Sequence, residues 1–155
     1  FAPGKGPKLR LPATVDAATG REGIPVKSGA GWIWLNLWAT WCGPCLREMP
    51  LVVKWRDVYE RDGIAVSQYF ISIDEDADNL KEFMADRSAP PLSSLHIPDE
   101  AAVQPWLVSL GLKADSSIPI NIFATENQEV RCIRTGEILD GHFPTLKALL
   151  ASSPR

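Results

Sequence analysis

The sequence contains few cysteines, three in 155 residues. Three cysteines cannot build a framework of several disulfide bonds, so the fold must depend on an apolar core. Two of them, Cys42 and Cys45, are separated by only two residues, a spacing typical of redox or metal chemistry. The third, Cys132, is distant in the sequence, and we expect it to be an ordinary buried or half-buried cysteine.

Long hydrophobic runs are also absent. The most apolar stretch covers residues 29–41 and is interrupted by Asn36, so it falls well short of the ~20 residues that span a bilayer. No signal peptide is visible, but the sequence begins at Phe1 rather than at Met. We expect that a targeting segment has been removed from the mature protein.

The sequence has no marked excess of charge of one sign. Its charged residues amount to 23% and its net charge is −3, and without a basic block we expect no nucleic-acid partner and no preference for an anionic membrane surface. The length and the 45% content of hydrophobic residues suit one domain with one core. We predict a single domain over residues 1–155, in which residues 1–28 form an extended lead-in with a short hairpin near residues 14–25.

Apolar periodicity and turn residues predict an alternation of strands and helices. The predicted strands cover residues 32–38, 64–73, 118–124 and 129–134, and the predicted helices cover residues 42–61, the segment holding Leu80, Phe83 and Met84, residues 101–112 and residues 144–150. The N-cap candidates for the second helix are Asp74, Asp76 and Asp78, and a proline-rich loop at residues 89–92 closes it. This order predicts an α/β protein whose mixed sheet is covered by helices on both faces.

The segment Cys42-Gly43-Pro44-Cys45 lies where a predicted buried strand gives way to a helix. The first helical turn offers free backbone N–H groups and the positive end of the helix dipole, so the pKa of Cys42 is expected to fall from ~8.5 towards ~7. Cys45 lies one turn further along, and Pro44 suits the first turn. We expect an exposed Cys42 to attack a substrate disulfide and a shielded Cys45 to release the reduced substrate from the mixed disulfide.

Two other uses of the cysteine pair stay open, half of a zinc site and a purely structural disulfide. The remaining candidate zinc ligands, Cys132, His96 and His142, are scattered in the sequence. We interpret His96 as a loop residue and His142 as a residue at a helix start. A disulfide that closes so short a loop adds little stability. We therefore expect no metal and no cofactor other than the redox-active disulfide itself.

Residues 36–45, which read Asn-Leu-Trp-Ala-Thr-Trp-Cys-Gly-Pro-Cys, closely resemble the active-site signature of the thioredoxin family. Ile118-Pro119 stands where that family places its cis-proline, opposite the dithiol, and Gly136 matches the glycine after the last strand. The resemblance implies the thioredoxin fold, a central mixed β-sheet flanked by helices, here with an N-terminal extension and an insertion before the cis-proline. One stretch departs from the pattern, because residues 118–127 lack the Asp-Gly pair of the family's hairpin.

Within this superfamily the chain resembles the membrane-anchored or periplasmic bacterial branch that includes TlpA, ResA and the cytochrome c maturation thioredoxins. The resemblance rests on the long lead-in, the added segment before Pro119, the Leu-Arg-Glu-Met-Pro continuation at residues 46–50 and Asn36 in place of a buried aspartate. It implies an extracytoplasmic, periplasmic protein, anchored or secreted, with a role in redox homeostasis or cytochrome c maturation. The expected partners are protein thiols and disulfides and a membrane electron donor, and we expect a monomer.

Glu48 follows Cys45 by one helical turn. If it is partly buried, its carboxylate can exchange a proton with Cys45; the alternative is a solvated glutamate paired with Arg47 or Lys54. The residues that the resemblance implies for substrate binding are Trp41, Gly43, Pro44, Ile118 and Pro119.

Three functions fit such a site. The Gly-Pro dipeptide between the cysteines resembles that of the reducing thioredoxins, so we favour a reductase of protein disulfides in an oxidising compartment. The same chemistry run in the other direction would make an oxidase or isomerase of secreted proteins. A non-catalytic binding module is the third alternative, although a pure scaffold has no need of both thiols.

Overall fold

The computed structural model describes residues 1–27, 31–86, 88, 90–91 and 93–152. This part of the chain contains a mixed six-stranded sheet with strand order β1-β4-β3-β2-β5-β6. The strands are β1 (Val15–Asp16), β2 (Trp32–Trp38), β3 (Val66–Ser72), β4 (Leu95–His96), β5 (Ile120–Ala124) and β6 (Val130–Thr135). The helices are α1 (Gly43–Arg61), α2 (Ala77–Ala85), α3 (Glu100–Ser109) and α4 (Phe143–Ala151), with a 3₁₀ turn at Asp140–His142 before α4.

Strand β2 lies at the centre of the sheet. It pairs in parallel with β3 and antiparallel with β5, and all seven of its residues are buried. Trp34 and Trp38 pack in the core that contains residues of α1, α2 and α4, whereas Leu35 and Leu37 pack in the core that contains residues of α3. A strand covered on both faces carries a continuous apolar run, which is why its predicted bounds are confirmed.

Helix α1 begins where the sequence predicts. Cys42 is its N-cap residue, and a proline occupies its first turn, where the missing backbone N–H removes no helical hydrogen bond. The helix ends at Arg61, and Gly63 follows in a left-handed conformation with φ of +78°, which glycine adopts without steric cost. Cys42 therefore lies beside the first turn of α1, where backbone N–H groups have no partner within the helix.

The part of the sheet around β4 differs from the prediction. His96 was interpreted as a loop residue, but it lies in β4, is buried and places its Nε2 2.7 Å from the carbonyl oxygen of Asp74. Strand β4 pairs in parallel with β3 and antiparallel with β1, which belongs to the lead-in. The lead-in hairpin predicted near residues 14–25 is present, since Val15 of β1 forms an antiparallel bridge with Glu22. A two-residue strand has no alternation to detect in the sequence, and so β4 was not predicted.

Helix α2 is capped by Asp76, whose carboxylate accepts from the backbone N–H groups of Asp78 and Asn79. Asp74 is not an N-cap as predicted, because its carboxylate binds Thr40 and Ser72 instead. In the predicted loop at residues 89–92, Ala89 and Leu92 lie outside the described residues.

The other elements differ from their predicted bounds only at their ends. The helix predicted over residues 101–112 begins at Glu100 and ends at Ser109, and the last helix begins one residue before Pro144. The hairpin between β5 and β6 closes without an Asp-Gly pair, because Gln128 adopts a φ of 60° and the N–H of Thr125 donates to the carbonyl of Glu129 at 2.9 Å. Within the described residues, no helix is both long and apolar enough to cross a membrane.

Candidate active site

Cys42 and Cys45 are joined by a disulfide, with their Cα atoms 5.2 Å apart. Cys45 is fully buried and Cys42 is 4% exposed. The prediction that Cys42 is exposed is therefore wrong for this oxidised form, although Cys42 remains the more accessible of the two cysteines. Ile118 lies next to Cys42, with its carbonyl oxygen 3.8 Å from the Cys42 sulfur.

The backbone at the start of α1 faces the Cys42 sulfur. The N–H of Cys45 points at Cys42 Sγ from 3.3 Å, in the manner of an N-cap contact. This N–H belongs to the first helical turn, where donors lack helical partners and the helix dipole is positive. When the disulfide is reduced, a thiolate on Cys42 can accept a hydrogen bond from the same donor.

The loop between α3 and β5 lies against the disulfide. The Ile118–Pro119 peptide bond is cis, as predicted. Gly136, which follows β6 with a φ of +91°, donates its N–H to the carbonyl of Pro119 at 2.9 Å. The structure thus brings Ile118, Pro119 and Gly136 to the same side of the molecule as Cys42.

The surface around the disulfide includes one large exposed aromatic ring. Trp41 is 66% exposed, whereas Trp38 is buried in the core and donates its Nε1–H to the Ser94 hydroxyl at 3.0 Å. Gly43 is exposed and Pro44 is half-buried beside it. An exposed tryptophan next to a reactive group is a typical feature of a contact surface, because it presents much apolar area at little entropic cost.

Glu48 is 1% exposed, so it is not a solvated helix residue. Its Oε1 accepts from Asn36 Nδ2 at 2.7 Å and from Asn121 Nδ2 at 3.1 Å, and its Oε2 accepts from the backbone N–H of Ile138 at 2.6 Å. Arg47, a suggested partner, forms a salt bridge with Glu137 instead.

Two opposing effects act on the Glu48 carboxyl. Burial raises the pKa of Glu48 above its ordinary value, and the nearby charge of Glu137 adds to that rise. The hydrogen bonds from Ile138, Asn121 and Asn36 lower the pKa, because they favour the ionised form. Burial is the largest effect, so the net pKa is raised.

Sequence reasoning missed Asn121. It lies in the buried strand β5 directly opposite Asn36 of β2, and both side chains reach Glu48. The available signal was a single asparagine inside the apolar run Ile120-Asn121-Ile122-Phe123, since a buried amide needs partners.

Asp74 was also missed as a residue of this site. Its carboxylate accepts from the N–H of Thr40 at 3.1 Å, from the Thr40 hydroxyl at 2.6 Å and from the Ser72 hydroxyl at 2.6 Å. Thr40 lies two residues before Cys42, so the buried Asp74 ties the active-site loop to the end of β3.

Cys132 lies in β6 as a free, half-buried cysteine. Burial raises the pKa of its thiol, which lowers its reactivity at neutral pH. Among the described residues, no group of three or more His, Cys, Asp or Glu side chains is arranged to hold a metal ion.

No family model matches the chain. The thiol-disulfide oxidoreductase ResA of Geobacillus thermodenitrificans (strain NG80-2) is 33% identical to it over 51 residues, which make up 33% of this chain and 28% of that relative. The match therefore spans less than a third of the relative's own length.

Solved structures match over almost the whole chain. The thioredoxin-related protein of Neisseria meningitidis serogroup B has a TM-score of 0.68 at 22% identity, covering 88% of this chain and 97% of its own. The thiol-disulfide isomerase of Corynebacterium glutamicum has a TM-score of 0.68 at 15% identity, covering 96% of this chain and 98% of its own. The chain is therefore a thioredoxin-fold protein, and over about a third of its length its sequence is similar to that of the thiol-disulfide oxidoreductase ResA.

Proposed function

We propose that this protein is a thiol–disulfide oxidoreductase that reduces protein disulfides in an oxidising extracytoplasmic compartment, the bacterial periplasm. The observation that carries the proposal is the Cys42–Cys45 disulfide at the beginning of α1, with a backbone N–H aimed at the Cys42 sulfur. The proposed cycle starts from the reduced form, in which this donor favours the thiolate that attacks disulfides.

In the first step, the Cys42 thiolate attacks one sulfur of a substrate disulfide. A bond forms between Cys42 Sγ and that sulfur, the substrate S–S bond breaks, and the other substrate sulfur leaves as a thiolate that takes up a proton. The product is a mixed disulfide between the protein and its substrate.

In the second step, Cys45 resolves the mixed disulfide. The Cys45 thiol loses its proton and attacks Cys42 Sγ, which forms the observed Cys42–Cys45 bond and releases the second substrate sulfur as a thiolate. The substrate gains two electrons and the protein loses two. Glu48 is the proposed acceptor of the Cys45 proton, since it is buried three residues further along the same helix.

The proposed substrate surface consists of Trp41, Gly43, Pro44, Ile118 and Pro119. Trp41 supplies exposed apolar area, and Ile118 presents backbone beside Cys42. A substrate segment in extended conformation can pair with that backbone, as in other cases of strand addition. Its disulfide then lies beside the Cys42 sulfur.

A reductase in an oxidising compartment must be reduced again after each turnover. The proposed source of electrons is a membrane protein whose thiols reduce the Cys42–Cys45 disulfide by thiol–disulfide exchange. The long lead-in and the continuation of the motif at residues 46–50 support this assignment to the TlpA/ResA-like branch.

A second candidate function is disulfide isomerisation or oxidation. It is favoured by the structural similarity to a protein described as a thiol-disulfide isomerase. The two directions share the same bonds and differ in the stability of the reduced dithiol, so the reduction potential separates them.

Activity is tested by mixing the reduced protein with a disulfide-bonded test protein such as insulin and following the appearance of free thiols. We expect reduction by the wild type and by Cys132→Ser, which keeps the pair intact, and none by Cys42→Ser. A Cys42→Ser variant as active as the wild type would contradict the proposed function.

A further inference from the structure

Two consecutive hydrogen bonds connect Trp34, in the core of the protein, to Glu48 through Asn121. The indole Nε1 of Trp34 donates to Asn121 Oδ1 at 2.8 Å, and Asn121 Nδ2 donates to Glu48 Oε1 at 3.1 Å. All three side chains are almost entirely buried, so water does not compete for these bonds.

Trp34 determines which group donates and which accepts in these two hydrogen bonds. An indole N–H can only donate, so the oxygen of the Asn121 amide must face Trp34 and its NH₂ group must face Glu48. Coordinates alone rarely distinguish the oxygen from the nitrogen of an amide, but here the donor-only partner decides the orientation.

Asn36 is oriented by the same logic. Its Nδ2 lies 2.7 Å from Glu48 Oε1 and 3.0 Å from Asn121 Oδ1. Both of these atoms are acceptors, so only the NH₂ group of Asn36 fits between them. In this orientation Asn36 Oδ1 is buried without a hydrogen-bond partner. An unpaired buried acceptor lowers the stability of the folded state.

Every hydrogen-bond partner described for the Glu48 carboxylate is therefore a donor. With the N–H of Ile138 at 2.6 Å, the carboxylate accepts three hydrogen bonds. A protonated Glu48 would turn one of its oxygens into a donor that faces only other donors. The site is arranged for the ionised form, although burial favours the neutral form.

We infer that Trp34, Asn36 and Asn121 are positioning residues whose donors hold Glu48 as the carboxylate that accepts the proton of Cys45 during release of the substrate. This inference rests on the proposed function. In the step itself, the proton leaves Cys45 Sγ for Glu48, the Cys45 electron pair forms the bond to Cys42, and the substrate sulfur leaves with the electrons of the mixed disulfide.

One further charged group, Glu137, acts on the Glu48 carboxyl. The charge of Glu137 opposes ionisation of Glu48, and Arg47 pairs with Glu137 on the surface. Cys45, on the same helix, does not titrate in the disulfide form. The oxidised protein is therefore the form in which the effect of the donors is best isolated.

The first measurement uses the oxidised wild-type chain. NMR follows the Glu48 side-chain carboxyl and the side-chain amides of Asn36 and Asn121 through a pH titration. We expect both amides to shift with the midpoint of Glu48, because they donate to it. Amides that do not respond at the Glu48 midpoint would overturn the inference, and this measurement needs no variant.

The second measurement compares two variants. Asn121→Leu removes one donor to the carboxylate, so the Glu48 midpoint should move to higher pH, with about a tenfold lower acid dissociation constant. The matched control is Asn79→Ala, since Asn79 is an exposed asparagine that contacts Thr40 rather than Glu48, and it should leave the midpoint unchanged. An unchanged or lower midpoint in Asn121→Leu would overturn the inference.

The reduced protein supplies the functional readout. The pH profile of substrate release should move in Asn121→Leu in the same direction as the Glu48 midpoint. A shifted Glu48 midpoint in a protein without disulfide exchange would overturn the proposed function and support the assignment of the donors. A shifted midpoint with an unmoved profile of release would overturn the role of Glu48 in the step.

Discussion

The sulfur of Cys42 lies 3.8 Å from the carbonyl oxygen of Ile118. The reactive atom and the backbone proposed to bind the substrate are therefore neighbours. A segment that pairs with Ile118 needs little further movement to bring its disulfide to Cys42, and such prior orientation of reacting groups accelerates reactions.

The two cysteines should behave differently when mutated. Cys45→Ser should accumulate mixed disulfides between Cys42 and substrate, because the resolving thiol is missing, whereas Cys42→Ser should accumulate none. Non-reducing electrophoresis and mass spectrometry after incubation with a disulfide-bonded protein check this. Mixed disulfides in Cys42→Ser that involve Cys45 would reverse the two roles.

Glu48 should make the stability of the fold depend on pH. Its pKa is raised in the folded state by burial, so the folded protein binds this proton more tightly than the unfolded chain does. The free energy of unfolding then falls as the pH rises from the ordinary pKa of a glutamate through the raised value.

Glu48→Gln cannot ionise and should lack this fall. Urea unfolding of both proteins from about pH 4 to about pH 8 should give a wild-type stability that declines relative to that of the variant. A difference between the two proteins that is independent of pH, or that grows in favour of the wild type, contradicts the raised pKa.

Asp74 should stabilise the loop that precedes Cys42. Asp74→Ala leaves the N–H and hydroxyl of Thr40 and the hydroxyl of Ser72 without this partner, and we expect a loss of about 2–4 kcal/mol in the free energy of unfolding. Asp78→Ala, at an exposed position in the first turn of α2, is the control. Equal losses in the two variants would mean that the hydrogen bonds of Asp74 add no more to the free energy of unfolding than an exposed aspartate does.

Cys132 should stay a free thiol when Cys42 and Cys45 are oxidised. Burial raises its pKa, so its alkylation near pH 7 should be slower than that of Cys42 in the reduced protein. Mass mapping after alkylation measures both properties. Finding Cys132 in a disulfide, or alkylated faster than Cys42, would show that it takes part in the redox chemistry.

Much of the fold could be predicted from strong local signals. Strand β2 was predicted at its observed bounds because its burial on both faces demands a continuous apolar run. The beginning of α1 was predicted from Pro44 and its end from Gly63, residues with specific conformational preferences. Strand β4 could not be predicted, since two residues establish no period, and β1 was predicted only as part of the lead-in hairpin.

The inner part of the site depends on strand register, which the sequence does not reveal. Glu48 was recognised by its spacing from Cys45, but its partner Asn121 is 73 residues away and becomes one only because β5 pairs with β2 so that Asn36 and Asn121 are opposite. His96 was assigned to a loop for a similar reason, because its place in the sheet depends on contacts with β3 and β1.

The reduction potential of the Cys42–Cys45 couple tests the proposed reductase most directly. It is measured by equilibrating the protein with glutathione or thioredoxin buffers of known potential and quantifying the oxidised fraction by thiol alkylation, with Cys132→Ser as the protein, so that only the pair reports. A disulfide reductase should have a potential of about −270 mV, the value typical of reducing thioredoxins. A potential of about −120 mV, at the strongly oxidising end of the same scale, would contradict the proposed direction of the reaction.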